Sequence, residues 1–197
     1  MSDSRTLQPA SAFNLEMAPP GSKSLTNRAL QLAALAEGET TLSGVLFADD
    51  TKRMLEALQT LGFTLDIDEA NHAVTVHGQG GVIPVKQADL DLGNAGTAMR
   101  FLTAALCLGN GTYTLDGIPR MRERPIGELV DPLRELGAEI EYLGETGFPP
   151  LKINADAGPD GFAGGFVTLK PTLSSQFISA LLMAGPCTER GVTVGFE

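Results

Sequence analysis

Cysteine, histidine and long apolar runs are scarce in this chain of 197 residues. The two cysteines, Cys107 and Cys187, stand far apart in apolar surroundings, which predicts free buried thiols in a reducing cytoplasm and no disulfide framework. The two histidines, His72 and His77, are too few for a histidine-based metal site and are expected at a strand edge or turn. No apolar run reaches the roughly 18–20 residues of a membrane span, and residues 1–10 lack the apolar core of a secretory signal.

Basic side chains are also a minority. The chain has 14 basic and 24 acidic residues, for a formal net charge of −10. This balance argues against a general nucleic-acid binder and against adsorption to an anionic membrane, because both need a basic face. With 43% apolar and 19% charged residues, the composition is typical of a globular protein of one large or two small domains.

Three segments of the chain resemble one another. Each begins with a small, polar loop and continues as an apolar helix, a glycine turn and a β-branched strand. The segments begin at Gly21, Gly93 and Thr172. Matching places in the three segments are occupied by Arg28, Arg100 and Gln176.

The second halves of the first two segments also match. In each, an amphipathic helix stops at a Leu-Gly pair, with Gly62 and Gly137 as the glycines, and an alternating strand follows. Asp49 or Asp50 is expected to cap the first of these helices. Pro132 predicts that the second helix begins late, near Pro125 or even at Asp131, or that it kinks. The pattern predicts an α/β (α+β) chain with two complete βαβα-plus-strands units and a third that has just begun.

The loops before the three apolar helices carry unusual chemistry for core-forming segments. Residues 20–28 concentrate hydroxyls, a lysine and an arginine, residues 93–97 are small with one amide, and residues 173–176 resemble them. A helix start offers free N–H groups and the positive end of the dipole, so it suits phosphate or carboxylate. If the repeats are related by rotation, three such helix starts face one point.

The positions of the cations favour a small anionic ligand. Lys23 and Arg28 adjoin the first helix start, and residues 120–124 hold three arginines. Plainer interpretations remain for each feature, namely a helix cap, a tight turn and a solvated loop. Arg100 is expected to form a structural ion pair with an acid such as Asp49 or Asp50. The spacing of a Walker phosphate loop is missing.

At these residues the chain resembles the EPSP synthases, the enolpyruvyl-shikimate-phosphate synthases of aromatic amino-acid biosynthesis. The matching motifs are residues 20–29, 92–100, 120–127 and 174–177. The resemblance implies pseudo-threefold domains of βαβαββ units. It implies transfer of the enolpyruvyl group from phosphoenolpyruvate to shikimate 3-phosphate with release of phosphate, without a metal or organic cofactor. It also implies inhibition by glyphosate.

The resemblance further implies roles for individual side chains. Lys23 would touch both substrates and, with Arg124, would serve catalysis. Ser24 and Arg28 would bind the carboxylate side of shikimate. The 3-phosphate and the ring would be bound by Ser174, Ser175 and Gln176. The wall that holds phosphoenolpyruvate or glyphosate would be formed by Asn94, Gly96, Thr97 and Arg124.

The chain departs from the family in two ways. Members of the family are much longer, so the resemblance implies an N-terminal portion that is inactive without its C-terminal half. Residues 1–20 would pair with the absent domain, and residues 21–197 would form an incomplete shikimate-phosphate-binding domain with units at about 21–90, 91–165 and 166–197. Phe101 stands where many relatives carry proline.

Two alternatives to an EPSP synthase remain. One is a UDP-N-acetylglucosamine enolpyruvyl transferase, which shares the fold, and the other is a non-catalytic half that needs complementation.

Overall fold

The computed structural model of the chain describes residues 4–17, 19–156, 162–170 and 174–196. In these ranges the helices are α1 (Lys23–Leu35), α2 (Asp49–Thr60), α3 (Gly96–Leu106), α4 (Gly127–Glu135) and α5 (Ser175–Ala184). The strands are β1 (Glu37–Ser43), β2 (Thr64–Asp68), β3 (Ala73–Gln79), β4 (Gln87–Asp91), β5 (Gly111–Asp116), β6 (Ile140–Tyr142), β7 (Leu151–Ala155), β8 (Gly165–Leu169) and β9 (Val192–Phe196). This mixture of helices and strands confirms the predicted α/β (α+β) class.

The order of the elements repeats along the chain. From α1 to β4, and again from α3 to β8, it runs helix, strand, helix and three strands, and α5 and β9 start the same order again. The two amphipathic helices α2 and α4 are followed by Gly62 at φ 89° and Gly137 at φ 100°. Glycine adopts this left-handed conformation without a steric penalty, so it ends a helix and turns the chain into a strand.

The strands form three separate sheets, and the last strand of each repeat pairs with the first strand of the next. The first is antiparallel with the order β1-β3-β2, the second has the order β4-β5-β7-β6 with β4 parallel to β5, and the third pairs β8 with β9 in parallel. The βαβαββ unit is therefore complete from β4 to β7.

The first repeat departs from the prediction of a complete unit. Residues 4–17 and 19–22 contain no strand ahead of α1. The segment 13–17 has the alternating apolar pattern of a strand, but its apolar side chains, Phe13, Leu15 and Met17, are 78%, 64% and 71% exposed. A strand needs a neighbour for its backbone hydrogen bonds and a surface for its apolar face. The described residues of this chain provide neither a neighbouring strand nor an apolar surface for this segment.

Three helices that start the repeats, α1, α3 and α5, contact one another, and we call them the helix trio. Every residue of α3 except Arg100 is buried. The fully buried side chains of the core include Leu30 of α1, Phe101 and Leu102 of α3, and Leu181 of α5. This core fixes the relative positions of the three helix starts.

The helices α2 and α4 differ from two sequence expectations. Ala48, and neither Asp49 nor Asp50, is the N-cap of α2, and the hydroxyl of Thr51 accepts the Ala48 N–H at 2.8 Å. Asp49 and Asp50 lie in the first turn, where the helix dipole favours negative charge. The helix α4 begins at Gly127, close to Pro125, and contains Pro132, so a start at Asp131 is wrong.

The cysteines and histidines lie away from the helix starts. Cys107 is buried and free, and burial raises the pKa of its thiol, whereas Cys187 is free but only partly buried. His72 precedes β3 with φ 53°, as expected for a turn, but His77 lies within β3, the central strand of the first sheet. In the described part of the chain, no helix has the length and apolarity of a bilayer span, and no three potential metal-binding side chains cluster.

Candidate anion-binding site

Arg28 joins the first helix of the trio to the third. It lies in the second turn of α1, where its Nη1 donates to the carbonyl oxygen of Ser24 at 3.0 Å and also contacts the Ser24 hydroxyl. Its Nη2 donates to the Oγ of Ser179 in α5 at 3.1 Å. The Ser179 hydroxyl donates in turn to the carbonyl oxygen of Ser175 at 2.7 Å. The predicted site residues Ser24, Arg28 and Ser175 therefore meet here. They are joined by Ser179, which the sequence did not predict as a site residue.

Arg100 makes the corresponding connection from α3 to α5. Its Nη1 donates to the side-chain oxygen of Gln176 at 2.7 Å and lies 3.5 Å from the carbonyl oxygen of Gly96. The expectation of an ion pair with Asp49 or Asp50 is wrong, because the helix trio turns this side chain toward α5.

The environment of Arg100 is unfavourable for its charge. Its Nε is buried and has no hydrogen-bond partner within the described residues. Burial, and to a lesser extent the positive charge of Arg124, lower the pKa of the Arg100 guanidinium. Two guanidinium groups therefore lie close enough to repel one another.

Arg124 comes from the loop after β5 and lies against the start of α3. Its Nη1 donates to the carbonyl oxygen of Asn94 at 2.9 Å. A Cβ atom on Gly96 would lie 2.3 Å from the Arg124 Nη2, so a larger residue at this position would displace the guanidinium. Thr97, the next residue of α3, is only 5% exposed. The structure thus gathers Asn94, Gly96, Thr97 and Arg124 at one helix start.

The other two arginines of the same loop have different partners. Arg120 pairs with Glu123, and Arg122 forms a bidentate pair with Asp116, with Nε–Oδ1 and Nη2–Oδ2 distances of 2.9 and 2.5 Å. Burial acts on Asp116 to raise its pKa, but the hydrogen bonds from Arg122 and the Gly117 N–H outweigh it and leave the pKa lowered. The solvated-loop interpretation therefore fits Arg120 and Arg122, but not Arg124.

Lys23 is the first residue of α1, and its Nζ lies 3.2 Å from an Asp50 carboxylate oxygen. Ser22 caps the same helix by accepting the Leu25 N–H at 3.4 Å. Lys23 is about half exposed, so its ammonium is held near the helix start by an acid and remains accessible to solvent.

The start of α5 is an exposed, capped helix end. The side chain of Ser174 accepts the backbone N–H of Gln176 at 3.3 Å, and both Ser174 and Ser175 are exposed. Gln176 lies in the first turn of α5, whereas Arg28 and Arg100 lie in the second turns of their helices. Gln176 of the third repeat therefore lies one turn closer to the start of its helix than Arg28 and Arg100 do in theirs. Thr172 and Leu173 lie outside the described residues.

Hydrogen bonds connect the N-terminal halves of the helix trio. Arg28 links α1 to α5, and Arg100 links α3 to α5. Sequence reasoning missed Ser179 and assigned Arg100 to another partner. The spacing from Ser175 to Ser179 places both on one helix face, which is the signal that could have identified Ser179.

Unlike Lys23, the three arginines of the site have no ion pair with an acid in the described residues. These arginines are Arg28, Arg100 and Arg124. Guanidinium groups in the first turns of helices or close to them, with serine hydroxyls nearby, can bind phosphate or carboxylate through charge-assisted hydrogen bonds.

Comparison with known proteins gives the same assignment as the motifs. Residues 7–197 match the model of the family described as EPSP synthase (3-phosphoshikimate 1-carboxyvinyltransferase). The chain is 53% identical over 196 residues to a 3-phosphoshikimate 1-carboxyvinyltransferase of Shewanella amazonensis, covering 99% of this chain and 45% of that protein. It is 55% identical over 185 residues to the enzyme of that name from a Sulfurovum species, covering 93% of this chain and 42% of the relative.

A solved structure agrees with the sequence relatives. The EPSP synthase of Acinetobacter baumannii superposes with a TM-score of 0.77 at 32% identity, over 89% of this chain and 39% of that one. The chain thus spans less than half the length of the curated relatives and of the solved structure that it matches. The family match, the repeated fold and the arginine-rich helix starts agree, and the chain belongs to the EPSP synthase family.

Proposed function

We propose that this chain supplies the shikimate 3-phosphate side of an EPSP synthase active site. The observation that carries the proposal is the group of three arginines, Arg28, Arg100 and Arg124, which converge on the helix trio without a carboxylate partner in the described residues. A substrate with a phosphate and a carboxylate supplies the negative charges that this group lacks. The family match supports shikimate 3-phosphate over the UDP-amino sugar of the related transferases.

We assign shikimate 3-phosphate to the junction of α1 and α5. Arg28 and Ser24 would bind its carboxylate side, since the guanidinium and the hydroxyl already lie together at the start of α1. Ser174 and Ser175 would bind the phosphate at the exposed start of α5, where backbone N–H groups add to the hydroxyls. Gln176, held by Arg100, would pack against the ring.

We assign phosphoenolpyruvate to the start of α3, a position that glyphosate would also occupy. Arg124 would offer its guanidinium there, and Gly96 keeps the helix start free of a side chain. Asn94 and Thr97 flank this position. Lys23 would reach both substrates from the beginning of α1, because its ammonium is half exposed.

The reaction joins two anions, so their mutual repulsion has to be offset by fixed positive charge. A ring hydroxyl of shikimate 3-phosphate adds to the enol carbon of phosphoenolpyruvate while the methylene carbon gains a proton. The tetrahedral adduct then loses phosphate and that methyl group gives up a proton, which restores the vinyl group. We assign Lys23 and Arg124 to holding the negative charges during both steps.

The remaining part of the proposal concerns the organisation of the chain. Residues 21–197 would be the shikimate-phosphate-binding domain, and residues 1–20 would pair with a second domain. The exposed alternating segment 13–17 supports this pairing, because its apolar side chains have no cover within the described residues. The chain spans 45% of the relative from Shewanella amazonensis, so binding is a more direct test than turnover.

The test is calorimetric titration of the 197-residue chain with shikimate 3-phosphate. We expect weak, saturable binding, which is at least about tenfold weaker in Arg28→Met because a charge-assisted hydrogen bond is lost. Lys23→Met should abolish the binding. Arg122→Met is the matched control, because Arg122 is paired with Asp116 at the surface and should leave the affinity unchanged.

Two outcomes would contradict the proposal. One is an absence of binding heat from a chain whose far-UV circular dichroism shows it to be folded. The other is an equal loss of affinity in Arg122→Met and Arg28→Met, which would show that general charge and not the helix trio attracts the ligand. Titration with shikimate that lacks the phosphate measures the contribution of the phosphate separately.

A further inference from the structure

Two arginines of the site lie over phenylalanine rings of the next helix in the repeat order. The Cζ of Arg28 is 5.0 Å from the ring centroid of Phe101 in α3, and the Cζ of Arg100 is 5.1 Å from the ring centroid of Phe177 in α5. Both rings are buried, with exposures of 0% and 3%. The same pairing, a guanidinium of one repeat over a phenyl ring of the following repeat, therefore occurs twice.

At Arg28 the ring and the hydrogen bonds restrain different parts of the group. The Cζ of Arg28 lies over the ring of Phe101, while the terminal nitrogens of the guanidinium bind Ser24 and Ser179. A cation that is held by an aromatic ring at its centre and by hydrogen bonds at its terminal nitrogens has little freedom to rotate. Arg100 is held similarly, by the ring of Phe177 and the side chain of Gln176.

The choice of partner decides whether such an arginine can still bind an anion. A carboxylate would fix the guanidinium, but it would also neutralise the charge and compete with an anionic ligand. An aromatic face attracts the cation through its quadrupole and brings no net charge. The arginine is thereby preorganised, and less rotamer entropy is lost when a ligand binds.

We propose that Phe101 and Phe177 are positioning residues that hold the Arg28 and Arg100 guanidiniums in place for anion binding. This inference rests on the proposed function, because it takes shikimate 3-phosphate to be the anion at Arg28. Phe101 acts through Arg28 and is not itself a ligand contact. Its aromatic ring, and not its bulk, is the property that matters.

The first test needs no variant. A ring current shifts protons above an aromatic face upfield, so the side-chain proton resonances of Arg28 and Arg100 should lie upfield of those of Arg122 in the nuclear magnetic resonance spectrum of the free chain. Arg122 is a suitable reference because its guanidinium pairs with Asp116. Resonances of Arg28 at the same position as those of Arg122 would overturn the contact, independently of any ligand.

The second test compares three variants in the shikimate 3-phosphate titration. Phe101→Leu should weaken binding about three- to tenfold, the range expected for loss of a partly desolvated cation–π contact. Phe101→Tyr keeps the aromatic face and should bind shikimate 3-phosphate as tightly as the unaltered chain. Phe63→Leu removes the same bulk from another buried phenylalanine, which is 4% exposed, and should leave the affinity unchanged.

The outcomes separate this inference from the function on which it rests. If the unaltered chain does not bind shikimate 3-phosphate, the proposed function fails, while the upfield shift still tests the stacking. If the unaltered chain binds and Phe101→Leu binds equally well, the positioning role is wrong and the function stands. If Phe63→Leu and Phe101→Leu weaken binding equally, with equal losses of thermal stability, Phe101 is only a core residue.

Discussion

Seven of the nine arginines of this chain fall into two groups that occupy different regions. At the surface, Arg53, Arg120, Arg122 and Arg134 each form an ion pair with a carboxylate. At the helix trio, Arg28, Arg100 and Arg124 bind carbonyl, hydroxyl and amide oxygens, and no carboxylate in the described residues pairs with them. In a chain with a net charge of −10, acids are abundant, so their exclusion from one region is informative.

The difference in partners indicates different roles, because the paired arginines belong to the solvated surface and the unpaired ones can recognise an anion. Surface ion pairs are exposed, weakened by salt and typically worth less than about 1 kcal/mol. Half-buried guanidiniums without a counter-charge reduce stability, and burial lowers the pKa of Arg100. A region that keeps such charges unneutralised has the electrostatics of an anion site.

Among the variants that compare the two groups of arginines, the largest effect is expected from removing an arginine at the helix trio. Arg100→Met should weaken binding of shikimate 3-phosphate about ten- to a hundredfold, because it removes a positive charge and frees Gln176. Calorimetric titration measures the change, with Arg122→Met as the surface counterpart. Equal affinities of the two variants would remove the distinction between the groups.

A buried amide gives an effect of intermediate size. Gln31 of α1 is 1% exposed, and neither its side-chain oxygen nor its nitrogen has a partner in the described residues. It lines a small apolar cavity with Leu58, Phe63 and Leu102. Gln31→Leu should therefore raise the free energy of unfolding by about 1–2 kcal/mol, because an unsatisfied buried polar group is replaced by an apolar one.

Urea unfolding measures this change, and Gln59→Leu on the exposed face of α2 is the control, with an expected effect within about 0.5 kcal/mol. The affinity for shikimate 3-phosphate should not change in Gln31→Leu. A loss of stability in Gln31→Leu would mean that the Gln31 amide has hydrogen-bond partners in solution. The contrast between paired groups at the surface and unpaired groups at the helix trio would then rest on the arginines.

The smallest effect concerns a paired surface group. On the first sheet, the Nε2 of His77 lies 3.0 Å from the Oδ2 of Asp66, and its Nδ1 lies 3.7 Å from the Oε2 of Glu39. The hydrogen bond to Asp66 is the main cause that raises the pKa of His77 above 6.5, with further contributions from the charges of Asp66 and Glu39 against the opposing effect of burial. A raised folded-state pKa means that the stabilisation is fully present below pH 6.5 and is lost as the pH rises through the folded-state value.

Thermal unfolding at several pH values tests this pair. The difference in melting temperature between the unaltered chain and His77→Gln should be largest below pH 6.5 and should shrink as the pH rises through the folded-state pKa of His77. A difference that is constant with pH would show that the contact contributes no charge-dependent stability. Added salt should reduce the effect, as it does for other exposed pairs.

Local signals in the sequence predicted the elements well. The Leu-Gly pairs at Gly62 and Gly137 marked helix ends, because glycine alone adopts the required dihedrals without strain. The apolar run after Gly96 gave the buried helix α3. The cap of α2 was less predictable, because Thr51 and the two aspartates all offer side-chain oxygens to the same helix start.

The site was only partly predictable. The motifs placed Arg28, Arg124 and Gly96 near helix starts, since loop composition and helix dipoles are local properties. The partner of Arg100 was predicted incorrectly, because an acid is the expected partner of an arginine, whereas the actual partner is the neutral amide of Gln176, 76 residues further along the chain. Ser179 was missed because its hydrogen bond to Arg28 spans 151 residues.

The sequence by itself determined the order of helices and strands, the repeat, the membership of the family and the concentration of cations at helix starts. These features depend on periodicity, turn chemistry and motifs that can be read within a few neighbouring residues. The tertiary structure alone decided which arginines are neutralised by acids and which lie over Phe101 and Phe177. Packing of the helix trio brings distant residues within hydrogen-bonding distance, and that juxtaposition is not encoded in any local segment.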